Sequence, residues 1–445
     1  MSTVLAEKLT SRKLIVKNIS LNFLIQGITF VVGIVTIPTI IRGIGVDRFG
    51  ILTIIWSIIG YSCLFDLGLG RALTQVVSSK LGEGKEDEVP SVIWTSLILI
   101  FVLGILAAVA VYALAPVLVN FIKVPQQFHQ ETLQSLQLLS LSLPFLIFVF
   151  GFKGVLESYQ KFDYTNWLRI PILISNYVIP IFLLHYYQSL TALVLVLALG
   201  RILTCFGYFW AVAKTVDNFF GHIRVSKEHF ISLFRFGGWL TVSSIINPFM
   251  SYLDRFLISG LLTSQVVAYY ATPYDVLSKL SIVSAAVMSV IFPALTTEFA
   301  RRTGRARQLY NKTLASLALI LLVPVLVAIF LAKPLITVWI GANFAEQSFQ
   351  LAQLLALYFF VSCLNTVPYS VIQSLGRSDV TAKINLVEFP IYLAALFICV
   401  KQMGIIGAPI GALVRIILDS ILMHFFALRY VKQSEQIASE HCATQ

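Results

Sequence analysis

The chain alternates between long apolar runs and short polar turns along its whole length. A helix needs roughly 20 apolar residues to cross about 30 Å of hydrocarbon. The runs are continuous rather than alternating, so helices are the structures that satisfy their backbone polar groups in lipid. We predict twelve membrane-spanning helices, at about 15–42, 49–79, 91–121, 131–158, 166–187, 190–214, 232–260, 266–299, 309–332, 348–375, 381–402 and 405–430.

Composition supports an all-α polytopic membrane protein. Of the 445 residues, 58% are hydrophobic and 12% are charged, whereas a soluble globular protein has about 45–50% apolar and about 25% charged residues. The five cysteines form no C-x-x-C pair, and the six histidines lack the spacing of metal ligands. We therefore expect no metal and no cofactor. The net charge of +11 lies mostly in the turns, so we expect no nucleic-acid partner.

The basic residues predict the orientation of the chain in the membrane. When the turns are assigned alternately to two sides, 22 of the 32 Lys and Arg residues fall on one side, five fall on the other and five lie within spans. Turns rich in Lys and Arg stay in the cytoplasm. We predict an even number of spans with both termini in the cytoplasm.

The two halves of the chain repeat each other. The fourth span is followed by SYQKFDYT at 158–165, and the tenth by SLGRSDVT at 374–381. Six spans per repeat is an even number, so both repeats share one membrane orientation, as in parallel-repeat transporters. We predict two six-helix lobes, 1–218 and 219–445. Ancient duplication alone would also explain the repeat, but we favour a transport pathway between the lobes.

Polar side chains form one stripe on the first span and another on the equivalent seventh span. Amides that face lipid are costly, so the stripes should face protein or water. Hydrogen bonding between helices is the ordinary explanation. Because the stripes occur on equivalent helices, we predict a shared polar cavity. Its polar lining would be Asn18, Asn22, Gln26, Ser244, Asn247 and Ser251.

Basic residues in or near the spans are candidates for binding an anionic head group. Arg donates two parallel hydrogen bonds to phosphate, and Lys adds a point charge. The i,i+4 pairs Asp275–Lys279 and Arg415–Asp419 could equally neutralise themselves, and both interpretations stay open. The cationic cavity candidates are Lys17, Arg71, Arg255 and Lys279.

Four segments carry a resemblance to a known family. They are IIRGIGVDRFG at 40–50, FDLGLGRA at 65–72, and the turns at 154–165 and 374–381. Together they resemble the polysaccharide biosynthesis flippases of the multidrug/oligosaccharidyl-lipid/polysaccharide exporter superfamily. The likeness covers essentially the whole chain.

The resemblance implies a lipid-linked oligosaccharide flippase. Such a protein moves an undecaprenyl-pyrophosphate-linked repeat unit of O-antigen or exopolysaccharide across the cytoplasmic (inner) membrane by alternating access. The expected partners are that lipid-linked oligosaccharide, membrane lipids, and the polysaccharide polymerase and glycosyltransferases of the pathway. The alternative is a cation-coupled small-molecule exporter on the same fold. Related drug exporters couple to cations through lobe carboxylates, for which Asp66 and Asp275 are the nearest candidates.

An enzymatic function is the third hypothesis, and the sequence argues against it. No Walker motif or nucleotide-binding domain is present. A membrane transferase would need a catalytic acid or histidine in a sizeable outer loop. The outer loops near 123–130 and 333–347 offer only His129 and Glu346, respectively. We predict a transporter without catalytic residues.

Overall fold

The computed structural model describes the backbone of residues 12–221, 249–250, 252–301 and 306–443. Side chains are described over 24–221, 249–250, 252–299, 306–377 and 379–433. The regular secondary structure of these residues is helical, without strands. Nine stretches of the described chain are long and apolar enough to cross a membrane. An all-α membrane fold is thereby confirmed.

Fourteen helical elements follow one another in the described parts of the chain. The first six are α1 (Arg12–Phe65), α2 (Leu69–Gly82), α3 (Val89–Phe121), α4 (His129–Ser158), α5 (Phe162–Leu183) and α6 (Leu190–Thr215). Residues 252–261 form α7. The remainder are α8 (Ser264–Leu277), α9 (Leu280–Arg301), α10 (Ala306–Phe330), α11 (Ala332–Trp339), α12 (Ala342–Ser374), α13 (Ser378–Met403) and α14 (Gly407–Ala443).

The chain divides into two compact units. Unit 1 contains the described residues up to Phe256 together with Thr263–Gln265, and unit 2 contains Leu257–Leu262 and the described residues from Val266 onward. The predicted lobe boundary at 218/219 adjoins 222–248, which lie outside the described residues. That boundary stays a prediction.

Most predicted spans coincide with helices, but two of them are broken. The expected break between the first two spans falls at Gly45, whose φ of 80° and ψ of 162° are not helical, so α1 consists of two helices joined at a kink. The second predicted span, 49–79, is broken by a turn between α1 and α2, and the eighth, 266–299, is broken between α8 and α9. The seventh, 232–260, lies largely outside the described residues, so the count of twelve stays a prediction.

In unit 1, α3 packs on α4 through a narrow stripe of small residues. Its buried positions Gly104, Ala107, Val111 and Ala115 recur every three or four residues, which places them on one helical face. A Cβ atom at Gly104 would lie 2.9 Å from Pro144 Cα. Small residues let helix backbones approach this closely. The opposite face of α3 exposes large apolar side chains, as a lipid-facing surface requires.

The fifth predicted span, α5, is an irregular helix. Its middle, Ile174–Val178, is a single π-helical turn, and it lies between Pro171 and Pro180, which lack the N–H of a normal helical hydrogen bond. The buried Ser175 of this turn packs against α6 at Gly200. A Cβ atom at Gly200 would lie 2.3 Å from Ser175 Oγ, so this contact depends on glycine.

Candidate functional site

The segment 65–72 forms a tight turn between α1 and α2 in unit 1. Leu67 and Gly68 adopt positive φ angles of 49° and 72°, and Gly is the residue that does so without steric cost. The buried carboxylate of Asp66 then accepts hydrogen bonds from the backbone N–H of Gly70, at 3.0 Å and 3.2 Å. Asp66 therefore satisfies a donor in the first turn of α2 and places a negative charge at its positive end.

The same segment packs closely against α4. Thr74 Oγ1 donates to the backbone carbonyls of Gly70 and Gly154, at 3.0 Å and 3.1 Å. A Cβ atom at Gly154 would lie only 2.4 Å from the Gly70 oxygen. Two of the segments that carry the family resemblance, 65–72 and 154–165, therefore meet at one helix–helix contact.

A small polar cavity opens beside this contact. Its volume is about 230 Å³. It is bordered by the buried acid Asp66, by the exposed Arg71, and by an i,i+4 ion pair in which Lys153 Nζ lies 3.5 Å from Glu157 Oε1. Two cations and two acids give the lining no excess charge. A liquid water molecule takes up about 30 Å³, so the cavity holds several waters and is too small for an oligosaccharide.

Two variants of Asp66 separate its contribution to stability from a contribution to transport. Asp66→Ala removes the acceptor and should lower the free energy of unfolding by about 0.5–2 kcal/mol. Asp66→Asn keeps a side-chain oxygen and should unfold near the wild-type midpoint. Thermal unfolding of the two purified variants checks this. Equal midpoints for Asp66→Ala and the wild type would contradict the capping role, and transport loss in an Asp66→Asn protein of wild-type stability would support ion coupling.

An aromatic cluster around Tyr61 surrounds another predicted residue of unit 1. The Tyr61 hydroxyl donates to the Phe249 carbonyl at 3.2 Å, and the rings of Phe249, Tyr252 and Phe256 lie 5.5–5.6 Å from its own. Arg255 is buried here, with its guanidinium carbon 6.0 Å from the Tyr252 ring. A cation over an aromatic face is attracted by the ring quadrupole. The cluster therefore places the Arg255 guanidinium beside an aromatic ring face that attracts it.

Unit 2 contains a buried polar cluster built from α12, α13 and α14. Arg415 Nη2 donates to the Tyr358 hydroxyl at 2.8 Å, and Asn365 Nδ2 donates to Asp419 Oδ2 at 2.8 Å. Arg415 also lies with its guanidinium carbon 5.2 Å from the Tyr392 ring. Tyr358 and Asn365 are seven residues apart on one face of α12, and Arg415 and Asp419 are four apart on one face of α14. We call these residues, with Glu388, the unit 2 polar cluster.

Glu388 is the most enclosed member of this cluster. It is fully buried, and the Asp419 carboxyl is a close neighbour of its own. Neither Glu388 oxygen accepts a hydrogen bond from a described donor. Glu388 stands ten residues into α13 and Asp419 twelve into α14, or about 15 Å and 18 Å along the two helices. The two acids therefore lie near mid-span.

The structure places the predicted site residues in several different environments. Asp66 and Arg71 border one cavity, Arg255 is buried in the aromatic cluster, and Gln26 and Lys279 are exposed. Lys279 lies in the turn between α8 and α9, so Asp275 and Lys279 do not share a continuous helix. The side chains of six further predicted residues, Lys17, Asn18, Asn22, Ser244, Asn247 and Ser251, lie outside the described residues. The shared cavity stays a prediction.

Sequence reasoning overlooked most of the unit 2 polar cluster. The sequence identifies Arg415 and Asp419 as an i,i+4 pair and Glu388 as an isolated acid, but it does not identify the side chains that they contact. The missing signal was the spacing of Tyr358 and Asn365, two polar-headed residues seven apart in an apolar run. Such spacing puts both on one helical face.

Comparisons with known proteins agree with this architecture. The model of the family described as "Polysaccharide biosynthesis protein" matches residues 15–299. The chain is 30% identical over 425 residues to the "Putative O-antigen transporter" of Shigella flexneri, covering 93% of this chain and 98% of that protein. It is 24% identical over 411 residues to the lipopolysaccharide biosynthesis protein WzxC of Escherichia coli K12, covering 90% of this chain and 78% of that protein.

The fold is similar to a solved transporter. A multidrug resistance MATE family transporter of the MOP superfamily, in an inward-facing conformation, aligns with a TM-score of 0.79 at 14% identity, over 92% of this chain and 95% of that one. This similarity concerns the fold. Because the family model spans more than half of the chain and the Shigella flexneri relative is matched along nearly its whole length, the chain belongs to the polysaccharide biosynthesis protein family.

Proposed function

We propose that the protein is a flippase that translocates a lipid-linked oligosaccharide across a membrane. The observation that carries this proposal is the alignment with an O-antigen transporter over 93% of the chain. The fold supports it, since ionisable residues buried within long apolar helices commonly mark a substrate or ion pathway. The protein is a transporter rather than an enzyme, as its relatives and fold neighbours are.

We extend this proposal to the cargo, the membrane and the mechanism. The cargo is an undecaprenyl-pyrophosphate-linked repeat unit, and the membrane is the cytoplasmic one, with both chain termini in the cytoplasm. The lobes 1–218 and 219–445 alternate between inward and outward opening. Outward movement of a pyrophosphate is favoured by an inside-negative potential, by roughly 2.3 kcal/mol per charge per 100 mV. The polysaccharide polymerase and the glycosyltransferases of the pathway are the proposed protein partners.

The predicted polar stripes and cations supply the substrate cavity in this proposal. Arg255 supports it best, because buried guanidinium groups in membrane-spanning helices are rare and commonly mark a substrate or ion pathway. Lys279 supports it differently, since it is exposed at a helix break and can reach an anionic group. Ion coupling is assigned to Asp66 or Asp275, as the sequence predicts, with the acids of the unit 2 polar cluster as a further site.

Glu388 and Asp419 are suited to hold a proton. Two adjacent carboxyl groups shielded from water favour sharing one proton, because two negative charges at that distance repel each other. In the described structure Asn365 donates to Asp419, and Arg415, which donates to Tyr358, lies beside the pair. Release of the proton would leave a second negative charge beside Arg415, which offers a physical link between protonation and helix packing.

Replacing the proposed cavity cations should reduce transport without reducing membrane insertion. Arg255→Ala and Lys279→Ala each remove a charge-assisted hydrogen-bond donor, which is worth about 1.5–3 kcal/mol. Surface polysaccharide in a flippase-deleted strain that expresses each variant should fall roughly tenfold or more. The matched control is Lys333→Ala, since Lys333 is exposed and pairs with Glu346 at 2.7 Å.

Protein amount in isolated membranes separates transport from folding in this experiment. Normal amounts of both variants with reduced polysaccharide support the cationic cavity. Normal polysaccharide from both variants would overturn it. A defect in the Lys333→Ala control would show that the loss of polysaccharide is not specific to the proposed cavity.

A further inference from the structure

Unit 2 carries a groove at the polar turn between α12 and α13. Its volume is about 450 Å³, within the range of about 300–1,000 Å³ that is usual for ligand sites. The first turns of α13 form one wall, and residues 426–433 of α14 form the other. The residues that matter for binding are Arg377, Lys383, Arg429, Ile384, Phe426 and Tyr430. We call it the interfacial groove.

The charge of the interfacial groove is positive. Among the described side chains, Asp379 is the one acid in its lining, and two cations share it: Arg377 Nε lies 3.1 Å from Asp379 Oδ1, and Lys383 Nζ lies 3.6 Å from Asp379 Oδ2. Arg429 adds a third cation. The described lining therefore has three basic groups and one acid, an excess of two positive charges.

One basic group is held in place by an aromatic ring. The Arg377 guanidinium carbon lies 5.3 Å from the Tyr430 ring centroid, which links the start of α13 to the end of α14. Its Nε donates to Asp379, which leaves the two terminal nitrogens of the planar guanidinium to donate to a phosphate. The groove is therefore prearranged for an anion across two helices.

The floor of the groove is continuous with an apolar surface. Ile384 and Phe426 line it, and within three residues of these on the same helices Leu386, Val387, Phe425 and Leu428 are exposed by 59%, 58%, 60% and 42%. Both helices belong to a stretch that is apolar enough to span a membrane, so these side chains face acyl chains. The cations therefore lie where the acyl region gives way to head groups, on the side that the basic turns assign to the cytoplasm.

We propose that the interfacial groove binds an anionic phospholipid of the inner leaflet, with its phosphate among Arg377, Lys383 and Arg429 and its acyl chains along Leu386 and Phe425. Basic pockets between membrane helices suit anionic head groups. A zwitterionic lipid brings its own cation into a groove with excess positive charge and binds less well. This lipid is a bound membrane component, separate from the transported cargo, so the site does not depend on the proposed flippase function.

Native mass spectrometry of the purified full-length protein tests the proposal. Titration with phosphatidylglycerol and with phosphatidylcholine should show about a tenfold preference for the anionic lipid. The variant Arg377→Gln/Lys383→Gln/Arg429→Gln should lose this preference. The matched control Lys333→Gln/Lys401→Gln changes exposed lysines away from the groove and should keep it. Raising the salt concentration should weaken the preference, because exposed charges are screened.

Three outcomes would overturn the proposal. They are equal binding of both lipids by the wild type, an unchanged preference in the triple variant, and inorganic phosphate that competes as well as the lipid, which would mean a site for free phosphate. If the triple variant unfolds in phosphatidylcholine, the single variant Lys383→Gln replaces it, because that side chain is 78% exposed. It should lower the preference about threefold, and no change would count against the groove.

Discussion

Gly154→Ala should sharply reduce the amount of folded protein and, with it, surface polysaccharide. The new Cβ atom would lie 2.4 Å from the backbone oxygen of Gly70, and a backbone atom cannot move aside as a flexible side chain can. α2 and α4 would have to separate, which breaks the hydrogen bonds that Thr74 donates to both backbones. Overpacking of this kind costs about 1–3 kcal/mol and occasionally more.

The matched control for Gly154→Ala is Gly27→Ala. Gly27 is also helical, and a Cβ atom there would meet nothing within 4 Å. Alanine favours a helix over glycine by about 1 kcal/mol, so this variant should fold at least as well as the wild type. Fluorescence-detected size exclusion and thermal unfolding measure both variants. A Gly154→Ala protein as stable as Gly27→Ala would show that α2 and α4 do not pack as closely as described.

Arg415→Met should have the second large effect, on both stability and transport. It leaves Glu388 and Asp419 buried together without their neighbouring cation. Breaking a buried ion cluster by removing one partner costs about 3–5 kcal/mol. Thermal unfolding should show this loss, and surface polysaccharide should fall. Lys333→Met, which breaks an exposed pair with Glu346, should cost about 0–1 kcal/mol.

A triple variant distinguishes the loss of a neighbouring charge from the loss of packing at the unit 2 polar cluster. Adding Glu388→Gln and Asp419→Asn to Arg415→Met removes both buried acids and should restore much of the lost stability, because no unpaired charge remains. Transport should not recover if these acids bind the coupling proton. Failure of the triple variant to regain stability would mean that Arg415 acts through packing against Tyr358 and Tyr392 rather than through charge.

The sequence predicted much of this fold because each spanning helix depends on local residues. An apolar run of sufficient length forms a helix whatever its neighbours are, so predicted spans such as 91–121 and 131–158 match α3 and α4 closely. Interruptions were harder to place. The break between α8 and α9 at 278–279 lies inside a largely apolar run, so hydropathy alone does not locate it.

The candidate sites were less predictable because they depend on contacts between distant helices. Arg415 and Asp419 share a face of α14, which the four-residue spacing shows. Their contacts with Tyr358 and Asn365 depend on how α12 is rotated about its axis, which a single sequence does not specify. The Gly70–Gly154 contact has the same character: both segments stood out as motifs, yet their separation of 84 residues concealed their meeting.

The irregular centre of α5 has a mechanical consequence for its neighbour α6. Ser175 occupies the space that Gly200 leaves open, so sliding one helix along the other would require Ser175 to rise over a side-chain-bearing position. This contact favours one axial register for the pair. Bending meets less resistance, because Pro171 and Pro180 donate no backbone hydrogen bonds on either side of the π-helical turn. The fifth span should therefore flex about its middle before it shifts lengthwise.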